Sequence, residues 1–188
     1  MGKGRLEAFS DGVIAIIITI MVLELKAPHD GTVRGLLALW PVFLSYALSF
    51  LVVAIMWVNH HHLMHAVRRV DGPLLWWNNG LLFWMSLIPF STAFLGDHLR
   101  SPLALSVYAA NLGSTALAFV LLRGAVARRD DPVRLELHLG QRRKNLMTMG
   151  LYLSAIPLAY VSVWLSYGIL VLIPALYFMP ERGLETAP

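Results

Sequence analysis

The chain has 188 residues, of which 57% are hydrophobic and only 14% are charged, and its mean hydropathy is +0.65. A soluble domain of this length needs more charged residues to cover its surface, so the composition excludes an ordinary soluble protein. The net charge of +4 does not indicate nucleic-acid binding, because the basic residues lie between apolar segments rather than in one patch.

Apolar segments of membrane-spanning length predict an all-α integral membrane protein. Three segments without a charged residue, 36–59, 73–96 and 101–122, are each near the ~20 residues that cross the hydrocarbon layer of a bilayer. The charge-free segment 145–180 is too long for one span, so we divide it into two helices that turn near residues 160–162. We therefore predict a single domain, 1–188, with six transmembrane helices at about 6–25, 35–65, 73–95, 102–123, 145–160 and 163–179.

The distribution of basic residues orients the predicted helices. Twelve Lys and Arg residues fall on the side that holds both termini and the loop 124–144, whereas only Lys26, Arg34 and Arg100 fall on the other side. Cytoplasmic loops carry the excess of Lys and Arg, so both termini are predicted to lie in the cytoplasm and the protein in the cell membrane. We interpret the loop as a solvated orienting segment with a short amphipathic helix, and a lipid-headgroup or partner site is the alternative.

The first predicted helix combines an apolar stripe with polar residues at its beginning. At about 100° per residue, Ile16, Ile20 and Leu23 share one stripe, and Thr19 lies along its edge. The purely structural interpretation is that the stripe packs on neighbouring helices while the threonine hydroxyl bonds to a carbonyl one turn earlier. That interpretation does not explain Asp11, because an acid at the membrane boundary is costly without a partner.

Asp11 faces away from the apolar stripe, so we expect it to be a structural residue that pairs with another group of the protein. Its predicted partner is Arg5 or a polar group of the second or third helix. The first helix is interpreted as permanent rather than as a cleaved signal peptide, because Asp11 interrupts the apolar run and no small-residue cleavage site follows.

The motif R-x-x-x-F-S-D at residues 5–11 resembles the signature of the transmembrane protein 175 family of potassium channels. The segments NHHHLMH at 59–65 and WWNNGLLFWMSLIPFSTAFLG at 76–96 are similar to the second and third helices of that family. The resemblance implies a six-helix subunit with cytoplasmic termini, which agrees with the number of spans predicted above.

The resemblance also implies a function: a potassium-permeable channel, not an enzyme, with K⁺ as the permeating ion and no cofactor. Because the signature occurs once here and animal relatives carry the six-helix unit twice, a homotetramer in the lipid bilayer is implied, with its pore formed by the first helices. Ile16, Ile20 and Leu23 are implied to form the pore constriction, and Thr19 to contribute to ion selectivity. An inter-helix polar network is implied for the signature and its neighbours, namely Arg5, Phe9, Ser10, Asp11, His60, His61 and Trp84.

Three other functions stay open on sequence alone: a catalytic metal site, a transporter and, third, an assembly or scaffold protein, which would need neither Thr19 nor a buried network. His61 and His65 lie four residues apart on one helix face, a spacing that can bind zinc, but a catalytic metal site needs more ligands than this side of the protein offers. The main alternative is a secondary transporter or proton-coupled carrier of small cations, although no repeat of helices 1–3 is visible in helices 4–6. The absence of cysteine excludes disulfides and cysteine-ligated iron–sulfur clusters.

Overall fold

The computed structural model describes residues 2–29, 31–67, 69–128 and 132–177, with side-chain positions given except over 132–143. Within these residues the chain is all-helical, which confirms the predicted class. The helices, in chain order, are α1 (Lys3–Leu23), α2 (Val33–Ala38), α3 (Trp40–His65), α4 (Gly72–Ser86), α5 (Ile88–Asp97), α6 (Pro102–Ala127), α7 (Pro132–Val161) and α8 (Val163–Tyr177).

Four helical segments of the described chain are long and apolar enough to cross a membrane: α1, α3, α4 together with α5, and α6. The helix α8 is apolar but shorter, with 15 residues. In α7 the charge-free stretch begins only at Asn145, so its first part is polar. The apolar helices are those of an integral membrane protein.

Prolines account for two helix boundaries that the sequence analysis missed. The helix predicted over 35–65 is divided into α2 and α3 at Leu39, two residues before Pro41. The helix predicted over 73–95 is divided into α4 and α5 at Leu87, two residues before Pro89. Proline has no backbone N–H and its ring clashes with the preceding turn, so the helix restarts with proline in its first turn.

The segment predicted as the loop 124–144 is mostly helical in the structure. The helix α6 continues to Ala127, and α7 begins at Pro132, a residue type that suits a first helical turn. No proline interrupts 133–156, so the amphipathic segment expected inside the loop continues directly into the apolar helix. The helix α7 ends at Val161 and α8 follows at Val163, which places the turn within the predicted range 160–162.

The helix α6 forms the centre of the packed domain. It packs against α4, α5, α7 and α8, and most of its side chains are buried. Small residues make these close approaches possible: a Cβ atom at Gly113 would lie 3.1 Å from Cδ2 of Leu153 on α7. The helix α1 lies at the periphery, where it packs against α3, α4 and α5.

Buried hydroxyl groups join α3, α5 and α6. The Oγ1 atom of Thr92 lies 2.7 Å from Oγ of Ser49, which lies 2.9 Å from the hydroxyl of Tyr108. In the same region the Asn111 side-chain amide donates to Oγ of Ser91 at 3.0 Å. Polar groups inside a membrane domain need partners from the protein itself, so these bonds fix how the three helices are rotated against one another.

The contact between α5 and α3 predicts a strong effect of a larger side chain at Gly96. A Cβ atom there would lie 3.2 Å from the backbone Cα of Val42, which cannot move without shifting α3. We expect Gly96→Val to cost about 1–3 kcal/mol, as overpacking does elsewhere, and to lower the thermal unfolding midpoint in detergent. Gly150→Val is the control because a Cβ atom at Gly150 meets nothing within 4 Å. Equal midpoints for the two variants would contradict this packing.

Candidate functional site: the exposed stripe of α1 and its polar anchor

The helix α1 has one buried and one exposed face. Its buried residues follow a helical period and are Leu6, Ser10, Ile14, Ile17 and Met21. On the other face Ile16 is 58% exposed, Ile20 42% and Leu23 77%, so the three predicted constriction residues lie together on one surface, hereafter the apolar stripe. Within the subunit, this stripe has no packing role that would explain its apolar character.

The hydroxyl of Thr19 lies beside the apolar stripe and is also exposed. Its Oγ1 donates to the backbone carbonyl of Ile16 at 2.8 Å, the back-bond that the sequence predicted. Because the hydroxyl proton is used inside the helix, the oxygen turns its lone pairs outward. Thr19 can therefore offer a hydrogen-bond acceptor or a cation ligand on the exposed face of α1.

Three buried polar side chains hold α1 against α3 and α4, and we call Ser10, Asn78 and His60 the polar anchor. The Asn78 side-chain amide donates to Oγ of Ser10 at 3.0 Å, and Oγ of Ser10 donates to the Leu6 carbonyl at 2.9 Å. The carbonyl oxygen of the Asn78 side chain lies 2.8 Å from Nε2 of His60, so this nitrogen carries the proton and donates. The anchor is at most 1% exposed, and it sets the rotation of α1 that turns the apolar stripe outward.

Asp11 is bonded to α3 through an indole rather than through a guanidinium. The Trp57 Nε1–H donates to Oδ1 of Asp11 at 2.9 Å, at the exposed edge between the two helices. Trp57 belongs to the second predicted helix, so the partner of Asp11 is a polar group of that helix, one of the two predicted possibilities. Arg5, the other possibility, is exposed and makes no bond to Asp11.

The structure separates the other residues predicted for the inter-helix network. Phe9 is 53% exposed on the same side of α1 as the apolar stripe. The rings of His61 and His65 meet each other, with 3.0 Å between their Nε2 atoms. Trp84 is 37% exposed and its ring lies 5.3 Å from that of Phe83. Among the residues predicted for this network, Ser10 and His60 belong to one hydrogen-bonded group, in which Asn78 links them.

Two residues of this site were missed by the sequence analysis. Asn78 carried a signal, because an amide inside a charge-free membrane segment needs a buried partner. Its neighbour Asn79 carries the same signal but is exposed, so the sequence does not tell the two apart. Trp57 carried no signal in the sequence, because aromatic residues are common in membrane helices. Its hydrogen bond to Asp11 is visible only once α1 is packed against α3.

The adjacent asparagines give a matched test of the polar anchor. Asn78→Leu leaves the Nε2–H of His60 buried without its acceptor, which costs about 1–3 kcal/mol. We expect a lower thermal unfolding midpoint and more aggregation in detergent for Asn78→Leu, and little change for the exposed control Asn79→Leu. The anchor is misassigned if Asn79→Leu is as destabilising as Asn78→Leu.

The chain resembles known proteins over nearly its whole length. The sequence profile of the family described as "Endosomal/lysosomal potassium channel TMEM175" matches residues 5–89. A potassium channel of Chryseobacterium sp. (strain P1-3) is 37% identical over 98% of this chain and 97% of its own length. A potassium channel of Chamaesiphon minutus is 40% identical over 93% of this chain and 92% of its own.

Solved structures and animal relatives agree with this relationship. The crystal structure of a lysosomal potassium-selective channel TMEM175 homolog from Chamaesiphon minutus superposes with a TM-score of 0.84 at 38% identity and covers 93% of this chain and 95% of that one. A human protein named endosomal/lysosomal proton channel TMEM175 is 36% identical over 51% of this chain and 19% of its own length. With near full-length relatives at this identity, the chain belongs to the TMEM175 family.

Proposed function

We propose that this protein is a potassium-permeable channel that conducts ions passively along a path lined by α1. The observation that carries the proposal is the outward rotation of the apolar stripe by the polar anchor. Membership of a family whose bacterial relatives are named potassium channels supports the choice of ion. The exposed oxygen of Thr19 supplies a ligand for a cation beside that stripe.

The proposed path needs more than one subunit, because one α1 helix supplies only one wall. We place four copies of the chain around an axis with α1 innermost, since this chain carries a single copy of the signature. Each subunit then contributes six membrane segments: α1, α3, α4 with α5, α6, the apolar part of α7, and α8. Both termini lie in the cytoplasm and the assembly lies in the cell membrane, in accordance with the positive charge on that side.

In this assembly the rings of Ile16, Ile20 and Leu23 form a dry constriction. An ion that enters it loses water molecules without gaining replacement oxygens, which makes the apolar rings a barrier. The four Thr19 oxygens lie near the first of these rings and offer ligands to a partly dehydrated cation. Asp11 lies off this path, where its bond to Trp57 holds α1 against α3.

Substitutions on the exposed face of α1 test the proposed conduction path. We expect Ile16→Asn to admit water, raise single-channel conductance and weaken discrimination between K⁺ and Na⁺. Thr19→Val keeps the shape but removes an acceptor worth about 1 kcal/mol, so the K⁺/Na⁺ permeability ratio should fall by up to roughly fivefold. Both variants are measured in planar bilayers by single-channel current and by reversal potential in mixed K⁺ and Na⁺.

The matched control is Leu165→Asn on α8, because Leu165 and Ile16 are equally exposed at 58%. It adds the same amide to a surface that the proposal assigns to lipid, and conductance should not change. If Ile16→Asn and Thr19→Val both conduct like the parent, α1 does not line the path. Flux without discrete single-channel openings would instead favour the carrier alternative.

The position of α1 at the centre of a tetramer is tested by disulfide crosslinking. The chain has no cysteine, so each variant carries one thiol. We expect Leu23→Cys to form inter-subunit disulfides on oxidation, because four Leu23 side chains would surround the axis. Val161→Cys is the control: it is equally exposed at 77%, but α7 packs on α6 and α8, whereas α1 packs on α3, α4 and α5. The reverse crosslinking pattern would place α7 rather than α1 at the axis.

A further inference from the structure

A pair of histidines at the end of α3 has a geometry that the channel function does not use. The Nε2 atoms of His61 and His65 lie 3.0 Å apart, and the ring centroids are 4.5 Å apart. Both side chains are exposed on consecutive turns of one helix. The two ring nitrogens that face each other are the atoms with which neutral imidazole binds metal ions.

The spacing of these nitrogens matches that of two cis ligands on one metal ion. With metal–nitrogen bonds of about 2.05 Å, nitrogens 3.0 Å apart subtend an angle of about 94° at the metal. That angle is close to the 90° of octahedral or square-planar coordination, whereas tetrahedral coordination needs nitrogens about 3.3 Å apart. Two imidazoles in cis positions, with water molecules as the remaining ligands, suit Ni²⁺ and Cu²⁺, which rank high in affinity for nitrogen ligands.

Charged groups of α1 surround this end of α3. The Trp57 ring lies one turn earlier, 6.1 Å from that of His61, and its indole holds the Asp11 carboxylate. The ammonium of Lys3 bonds to the His65 backbone carbonyl at 3.2 Å and lies 3.9 Å from the Glu7 carboxylate. The Asp11 carboxylate is therefore bonded to α3 one turn before His61, and Glu7 partly balances the charge of Lys3 at the His65 carbonyl.

We propose that His61 and His65 form a two-histidine binding site for a divalent transition-metal ion of the Ni²⁺ or Cu²⁺ type. The bound ion links two consecutive turns at the end of α3. The same end of α3 contacts α1, through the His65 carbonyl and, one turn before His61, through Trp57. The ion therefore stiffens the helix end against which the beginning of α1 is held. The site is regulatory or structural in kind, since two protein ligands leave the ion open to water and no third His, Cys, Asp or Glu completes a cluster in the part of the chain that the structure describes.

Metal titration of the purified protein tests this site. Ni²⁺ is added as the chloride to full-length protein in detergent, prepared with an affinity tag that contains no histidine, and binding is followed by calorimetry. We expect saturable binding of one Ni²⁺ per chain and a rise in the thermal unfolding midpoint with Ni²⁺ concentration. His61→Ala and His65→Ala should each weaken binding by at least about tenfold, since even the loss of an outer-sphere partner weakens metal binding 10–100-fold.

The matched control is His62→Ala, which removes an exposed histidine beside the pair but leaves both proposed ligands. It should bind Ni²⁺ like the parent protein. The thermal midpoint and the size-exclusion profile without metal show whether each variant is folded, so that loss of binding is not confused with loss of structure.

Because ion flux is not measured, failure of this proposal leaves the proposed channel function standing, and the reverse also holds. The proposal is overturned if the parent does not saturate below millimolar Ni²⁺, or if His62→Ala weakens binding as much as His61→Ala; the pair is then a hydrogen bond between two imidazoles and no more.

Discussion

The buried bonds among Ser10, Asn78 and His60 are the constraint on which the arrangement of α1 depends. Inside a bilayer, a polar side chain cannot be satisfied by water, so each of the three needs a partner from the protein itself. The three residues come from α1, α4 and α3, so their bonds determine one rotation of α1 against both neighbours. Apolar packing alone tolerates small rotations of a helix, whereas hydrogen bonds with fixed directions do not.

The properties of the exposed face of α1 follow from that rotation. Once Ser10 and the residues one turn apart from it are turned inward, Ile16, Ile20 and Leu23 must face outward. An exposed face this apolar, on a helix at the periphery of the described part of the chain, needs either lipid or other copies of the chain to cover it. In the proposed tetramer other copies of the chain cover this face, and the Thr19 oxygen faces the ion path rather than lipid. The bond between Asp11 and Trp57 holds α1 against α3 in the same rotation.

The comparison with relatives adds the ion but not the roles of individual residues. The bacterial relatives that cover nearly the whole chain are named potassium channels, whereas the human relative, matched over half of this chain, is named a proton channel. A dry apolar constriction is compatible with either name, since it acts by excluding water rather than by recognising one ion. In the proposed channel, preference for K⁺ therefore depends on oxygens next to the constriction, and Thr19 is the exposed hydroxyl of α1 on that face.

The sequence by itself determined the class of protein, the apolar stripe and the family, because hydropathy and helical period are local properties of a chain. The family resemblance also named Ser10 and His60 among seven residues of an inter-helix network, but it left open which histidine of α3 takes part. It did not separate Asn78 from Asn79, or identify Trp57 as the partner of Asp11, because these choices depend on which helix lies next to which face. The segment predicted as the loop 124–144 is largely helical in the structure for a related reason. Charged residues mark the end of a membrane span, but the helix itself can continue into water until a proline or a glycine turn ends it. Only the tertiary structure decided these points, since burial and hydrogen bonding of a side chain are properties of the packed helices and not of the segment that carries it.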